Sequence, residues 1–271
     1  MAGDLTEAEY KTAEKVKTLF GDWPETILWS VLQGKMGRMF ADNSDSPESA
    51  AAVLGDFVFL AGTPSEELIR FTAELDDYPL DMCILMPQNE SWEQAIEKKL
   101  EPSEKIKSVQ KVTRYATAKN PEHLKRPEVM EHLRRLSERV PAHFEIKAFD
   151  EEIYQIARDE YWSRSQAAQF RNYEEFHQHG LGFAAFLGGI MAAGASTYSW
   201  YEGGIEVQID TDTGFREMGL AKCCGARLIL ECLERNLYPS WDAHNLQSLA
   251  LAESLGYEPA GEYTAYEVWQ K

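Results

Sequence analysis

The stretch from Ile205 to Arg235 carries residue types and spacing that could do chemistry. Ile205-Glu206-Val207-Gln208-Ile209-Asp210-Thr211 alternates apolar and polar residues, as a strand does. Arg216-Glu217-Met218-Gly219-Leu220-Ala221 follows after a glycine-containing turn, and an apolar helical run continues from about Ala221 to Arg235. A helix leaves its first N–H groups unpaired and carries partial positive charge at that end, so an anion such as a pyrophosphate fits there. Gly219 removes the side chain that would block close approach, and the small Ala221 two positions later does likewise. An R-x-x-G-x-A pattern also recurs by chance, and an ordinary strand-to-helix turn using a glycine for its geometry would look the same.

Other polar constellations are less directed. By strand alternation Glu206, Gln208 and Asp210 share one face, opposite Ile205, Val207 and Ile209. That face either lines a cleft or is solvated. His177 and His179 form an H-x-H pair without convergent carboxylate or cysteine spacing, so no metal site is expected. Cys223 and Cys224 stand at a helix start, where thiolates can be stabilised, but no histidine partner is placed beside them and packing is the expectation. Gly188-Gly189 and Gly203-Gly204 do not make G-x-G-x-x-G, which argues against a dinucleotide fold.

The elements that position these residues mix strands and helices throughout, an α/β (α+β) reading. In the first part, helices are expected over Glu7 to Phe20, Thr26 to Leu32, Ser65 to Glu74 and Ser91 to Leu100, with the third opened by a capping-box pattern from Thr63. Arg38 to Ala41 and Phe57 to Ala61 read as strands around a loop rich in Asp, Asn and Ser; Met82 to Met86 and Val109 to Thr117 also read as strands. A polar, proline-punctuated stretch follows, with a charged helix from about Pro127 to Arg139, and the domain boundary is placed near Pro141. The domains are therefore 1–140 and 141–271. In the second, Phe144 to Phe149 is a strand, and Asp150 is a natural N-cap for a helix from Glu151 to Trp162. A short helix from Asn172 to His177 precedes strands over Phe183 to Leu187 and Ile190 to Tyr201, joined by Gly188-Gly189. After the central strand and helix come a strand near Pro239 to Ala243, a helix from Leu246 to Leu255 and a final strand pair around Glu258 to Trp269.

Composition sets the frame. Twenty-seven basic against 45 acidic side chains give a formal net charge of −18 over 271 residues. Nucleic acid binding needs clustered Lys and Arg, so nucleic acid is not an expected partner, whereas a small cationic amine would be attracted. No window approaches the roughly 18 continuous apolar residues of a spanning helix, and Met1 to Tyr10 is acidic, so neither a membrane nor a secretory signal is expected and the cytoplasm is the default. Cys83, Cys223, Cys224 and Cys232 match no zinc spacing and suggest no disulfide framework. Homo-oligomerisation is not readable.

Downstream, Asn245-Leu246-Gln247-Ser248 opens a helix that ends Leu255-Gly256-Tyr257 before a strand. With Arg216 to Ala221, this resembles the two signature blocks of the acyl-CoA N-acyltransferase (GNAT) superfamily. The runs Leu237 to Ala243 and Glu262 to Tyr266 are similar to its zwittermicin-resistance-type branch. The resemblance is specific from Ile205 to Tyr266 and faint over the first half, which would be an additional α/β domain, at most a degenerate relative. It implies a GNAT-type mixed central sheet flanked by helices, with acetyl-CoA as acyl donor wedged between two splayed central strands and no metal. Main-chain groups of Ile209 and Thr211, beside Asp210, would then meet the pantetheine arm. The N–H groups of Met218, Gly219, Leu220 and Ala221, in a loop opened by Arg216 and Glu217, would hold the pyrophosphate. Asn245 would contact the pantetheine with Ser248 close by, although Asn also suits a helix N-cap.

For catalysis, the resemblance makes Glu206 the first candidate for the base and Asp242 the second. The family's usual tyrosine, which protonates the departing thiolate, is replaced here by Ala252. Tyr257, Tyr263 and Tyr266 are nearby; Tyr257 is carried as the candidate, with core packing as the alternative. The implied function is transfer of an acetyl group from acetyl-CoA to a primary amine of a small molecule by direct attack in a ternary complex. The alternatives are a catalytically silent CoA-binding protein, or an enzyme acting on protein or peptide amines.

Overall fold

The computed structural model describes residues 6–7 and 10–271, with side chains from residue 13 onward. By internal contacts it divides into two compact units, 1–113 with 264–271, and 114–263. The division falls at Arg114 instead of near Pro141, because the helix before Pro141 packs against the central helix of the second unit.

The first unit runs β1 (Thr6–Glu7), α1 (Tyr10–Phe20), α2 (Thr26–Leu32), β2 (Arg38–Ala41), β3 (Ser49–Leu54), β4 (Phe57–Gly62), α3 (Glu66–Ala73), β5 (Met82–Pro87), α4 (Glu90–Lys99) and the start of β6 (Ile106–Thr117). The first helix begins at Tyr10, Glu7 lies in a strand, and positions 8 and 9 fall outside the described residues. The sequence reading passed over β3. Its Ser-Ala-Ala-Ala-Val-Leu is buried at every position, so it shows neither alternation nor the bulky branched residues that mark a strand. Antiparallel β1, β2, β3 and β4 lead to β5, which runs parallel to β4. The core of this unit gathers Val58, Leu60, Leu68, Leu85, Trp92 and Ile96.

The second unit follows with α5 (Pro121–Leu124), α6 (Pro127–Glu138), β7 (Phe144–Ala148), α7 (Glu151–Asp159), α8 (Tyr173–His179), β8 (Gly182–Leu187), β9 (Ile190–Tyr201), β10 (Gly204–Thr211), α9 (Leu220–Glu234), β11 (Tyr238–Ser240), β12 (Asp242–Ala243), α10 (Leu246–Ser254) and β13 (Pro259–Gln270). Its five-stranded sheet has the order β11-β10-β9-β8-β7, antiparallel except for the β10–β11 pair. Two expectations are corrected. The strand expected over Pro239 to Ala243 breaks into β11 and β12 around the buried Trp241, and the expected final pair is one strand, β13, which passes straight through Gly261. Its last residues, Tyr266 to Trp269, pair antiparallel with β5.

Helix α9 packs on β8, β9, β10 and β11, and α6 packs on α9. Leu220, Cys224, Leu228, Ile229, Ile205 and Leu255 belong to the core so formed. All four cysteines are free and buried. Burial pushes the Cys223 and Cys224 thiols up, and Cys223 donates to the Arg139 carbonyl, so both pack as neutral thiols. Among the described residues no helix is long and apolar enough to cross a membrane.

Truncating Ile229, which is fully buried on the sheet-facing side of α9, should cost about 2–5 kcal/mol as Ile229→Ala through lost transfer energy and a cavity. Urea denaturation checks this; an unchanged midpoint would contradict the packing described.

Candidate functional site

The site grows from one irregularity in the second unit's sheet. β10 pairs in parallel with β11 only at Gly204–Tyr238, Ile205–Pro239 and Glu206–Ser240. Asp242 and Ala243 then pair antiparallel with Ala116 and Tyr115 of β6, so the strand leaves β10. On its other edge β10 stays paired with β9 as far as Thr211–Ala193. A bulge between Glu206 and Val207 places the extra residue, Tyr198, on β9, so the alternation of β10 is unbroken.

That alternation assigns each main-chain group an edge. The Gly203 carbonyl accepts the Tyr238 N–H at 2.8 Å, and the Asp212 N–H donates to the Ala192 carbonyl of β9 at 3.0 Å. Odd-numbered residues of β10 therefore turn their amides and carbonyls toward β11, and even-numbered ones toward β9. The Glu206–Ser240 pair uses the Val207 N–H, and beyond it the Val207 carbonyl and the main-chain groups of Ile209 and Thr211 point to an edge with no paired strand among the described residues.

Glu206 sits where the strands part. A two-residue step along the ladder would carry the Ser240 N–H to Ile205 and the Asp242 N–H to the Val207 carbonyl. Instead the Asp242 N–H donates to Glu206 Oε1 at 2.6 Å. The carboxylate, 3% exposed, thus serves the amide that the parting strands would strand. Asp242 is itself held: its Oδ2 accepts from Arg114 Nε at 3.1 Å and from the Tyr263 hydroxyl at 2.6 Å, with Arg114 Nη2 at 3.0 Å and both side chains 5% exposed. Trp241 is fixed by its carbonyl, which accepts from Thr117 Oγ1, and by its indole N–H, which donates to Ser248 Oγ at 3.3 Å.

The turn after β10 leads to the mouth of α9. Helices α3, α4, α7, α8 and α10 each open on a Ser, Asn or Asp whose side chain accepts a first-turn N–H. α9 opens on Gly219, at φ 82° and with no capping side chain. A Cβ at Gly219 would meet nothing within 4 Å, and Arg216, Glu217, Met218 and Gly219 are all exposed. Glu217 also takes positive φ, at 64°. No side chain caps the first-turn amides of Leu220 and Ala221, and such donors fit a diphosphate.

The remaining expected residues are placed as follows. Ile209 and Asp210 are half-buried; the Ile209 side chain lies toward Gly225 of α9, and Asp210 accepts from Gln208 Nε2 at 2.9 Å. Asn245 is exposed and caps α10, its Oδ1 accepting the Ser248 N–H at 2.9 Å, and its amide lies 3.4 Å from His244 Nδ1. Ala252 is fully buried in the core. Tyr257 is 5% exposed and its hydroxyl donates to the Pro239 carbonyl at 2.6 Å. Burial, together with Tyr238, Cys232, Glu206 and Tyr201 nearby, pushes its phenol well above the usual range. Tyr266 belongs to the first unit and donates to Glu97 Oε1 at 2.8 Å. His179 stacks on Trp200, ring centroids 3.9 Å apart, and His177 lies against Tyr173. Among the described residues no group of three or more His, Cys, Asp or Glu side chains could hold a metal ion.

The sequence reading missed Arg114, Ser199 and Ser240. Nothing in a run such as Val109 to Thr117 marks one arginine as buried. Only the register places Ser199 and Ser240 on either side of Glu206.

A mixed sheet whose two parallel strands part above an uncapped helix mouth defines an acyltransferase class of fold. The profile of the GNAT acetyltransferase family matches residues 17–266, and the chain belongs to that family. It is 42% identical to a GCN5-related N-acetyltransferase-like protein from Streptococcus suis 89/1591, with a TM-score of 0.86 covering 95% of this chain and 98% of the other. It is 26% identical over 275 residues, 97% of each chain, to the uncharacterized N-acetyltransferase YdfB of Bacillus subtilis (strain 168). An acetyltransferase of the GNAT family from Colwellia psychrerythraea shares the fold alone, at 10% identity and a TM-score of 0.51 over 98% of this chain and 99% of the other. The family generally uses acetyl-CoA.

Two stability outcomes test this geometry by chemical denaturation. Glu206→Gln keeps an oxygen for the Asp242 amide and should stay within about 1 kcal/mol of the parent, whereas Glu206→Ala strands that amide and should cost about 1–3 kcal/mol. Arg114→Met leaves Asp242 buried without its cation and should cost about 3–5 kcal/mol.

Proposed function

We propose that the second unit transfers the acetyl group of acetyl-CoA to a primary amine of a small molecule, by direct attack in a ternary complex. The observation that carries this reading is the pairing of an open edge, at the Val207 carbonyl, Ile209 and Thr211, with the uncapped mouth of α9 at Gly219. A pantetheine arm is an extended chain with amides of its own, and it can continue the ladder that β11 abandons. The diphosphate then meets the Met218 to Ala221 amides, where the helix dipole favours its charge. Arg216 adds a cation at the loop, and Asn245 with Ser248 borders the arm on the α10 side.

In the reaction the amine lone pair attacks the thioester carbonyl carbon, the C–S bond breaks, and the nitrogen gives up a proton. Glu206 is the base in this reading: it lies at the fork, where the thioester end of the arm would arrive, and takes that proton directly or through water. The departing thiolate takes a proton from solvent, since a thiol pKa lies near enough to neutrality that no buried acid is required. Tyr257 acts by position, holding Pro239 beside the fork. Within the family, the run from Arg216 to Tyr266, with its local stretches Leu237 to Ala243 and Glu262 to Tyr266, favours the zwittermicin-resistance-type branch.

The first unit supports a reading as a degenerate relative of the second. It repeats an antiparallel run of strands, a helix and a parallel strand, as β2-β3-β4-α3-β5. Its β4 and β5 stay paired from Phe57–Ile84 to Leu60–Pro87, and the Ser65 hydroxyl caps α3 by accepting the Leu68 N–H at 3.2 Å. Among the described residues β4 and β5 therefore leave no fork, and the mouth of α3 is closed by its cap.

A second reading, a protein that binds CoA without turnover, draws on the buried Ala252 at the position where the family usually carries its acid. Calorimetry with CoA and acetyl-CoA, followed by thiol release with a panel of small amines and peptides, separates the two. The catalytic reading expects binding and thiol release with small amines; binding without release would favour the silent protein. Gly219→Val should weaken CoA at least about tenfold, because a β-branched residue resists positive φ and fills the cradle. Unchanged affinity would contradict the assignment of the cradle.

A further inference from the structure

Ser199, Glu206 and Ser240 stand side by side on three neighbouring strands. Glu206 is in register with Ser199 of β9 and with Ser240 of β11, so the three side chains leave the same face of the sheet. Ser199 and Ser240 are fully buried and Glu206 is 3% exposed. Neither serine hydroxyl has a hydrogen-bond partner within the described structure. A buried hydroxyl without a partner costs stability, and alanine has nearly the same shape, so a fold indifferent to these groups would do better without them. Both oxygens are closed off from solvent, so their partner must come from the protein or from what binds it. In-register neighbours have Cβ atoms roughly 4.5–5.5 Å apart. A side-chain rotation of Glu206 away from the Asp242 amide therefore brings its carboxylate within reach of either hydroxyl.

We propose that Ser199 and Ser240 are positioning residues for the Glu206 carboxylate, whose hydroxyls donate to it whenever it is charged and free of the Asp242 amide. This rests on Glu206 being the base. As the amine nitrogen gives up its proton, the bond formed is O–H on Glu206; the serines keep their own protons and change only from donating to the carboxylate to accepting from the carboxylic acid. The other titratable groups around Glu206 are three phenols, one thiol and one carboxylate. The phenols of Tyr201 on β9, Tyr238 on β11 and Tyr257 after α10 are all pushed up, chiefly by burial, and the Glu206 charge adds to it. Cys232 of α9, near Tyr201 and Tyr257, is also held neutral by burial. On β12 the Asp242 carboxylate is bound to Arg114 and Tyr263.

Donors to the charged form favour it, so removing one raises the pH at which the carboxylate takes up its proton. The test uses the full chain with 13C-labelled glutamate carboxyls and assigns the Glu206 resonance by its loss in Glu206→Gln. It then follows that resonance against pH in the parent, Ser199→Ala, Ser240→Ala and the double variant. Each single variant should raise the midpoint by about one pH unit, the double variant further, and no variant should melt lower than the parent. Ser199→Thr, which keeps a hydroxyl, should return the midpoint toward the parent value. Midpoints that do not move, with or without a lower melting temperature, would overturn the proposal. Because the titration is read without turnover, unmoved midpoints together with lost thiol release in Glu206→Gln would overturn this inference alone. Full thiol release by Glu206→Gln would remove the base assignment and this inference with it.

Discussion

The bond from the Asp242 amide to the Glu206 carboxylate is the constraint on which the site depends. Two parallel strands can part only if the main-chain groups at the parting find other partners. On one strand, Asp242 turns its amide to a side chain and its own side chain to Arg114 and Tyr263, while Asp242 and Ala243 join β6. On the other, β10 keeps all its pairing with β9 and, beyond the Val207 N–H, has no second strand on its other edge among the described residues. The parting of the strands is therefore supported on one side by a buried carboxylate, and on the other it leaves an edge without a paired strand among the described residues.

The first unit shows what the same order of elements does without that constraint. There β4 and β5 hold their register, the Gln88 amide carries the ladder on to the Leu60 carbonyl, and a serine closes the mouth of the helix between them. The difference lies in a few positions. Where β10 and β11 part stands a buried carboxylate, and α9 opens on a glycine in place of a capping side chain.

Much of this was legible beforehand. The alternation from Ile205 to Thr211, the glycine before an apolar helix and Asn245 before the last helix each carry a local physical signal, and the structure places all three elements as expected. The fork was not legible, because Pro239 to Ala243 reads as one strand and only its partners show that it changes sheets at Trp241. β3 was missed because a strand buried on both faces and rich in alanine has no period to detect. The helix before Pro141 goes with the second unit through packing on α9, a long-range contact that local composition does not announce. Ser199, Ser240 and Arg114 matter through register and burial, which no single-residue signal encodes.

Amide hydrogen exchange on β10 tests the central claim most directly. If the fork leaves the groups beyond Glu206 for a coenzyme arm, adding CoA should slow exchange at Ile209 and Thr211 by at least about tenfold, while Val207, already bonded toward Ser240, and Gln208 and Asp210, already bonded toward β9, change little. Equal exchange at Ile209 and Thr211 with and without saturating CoA would contradict the account.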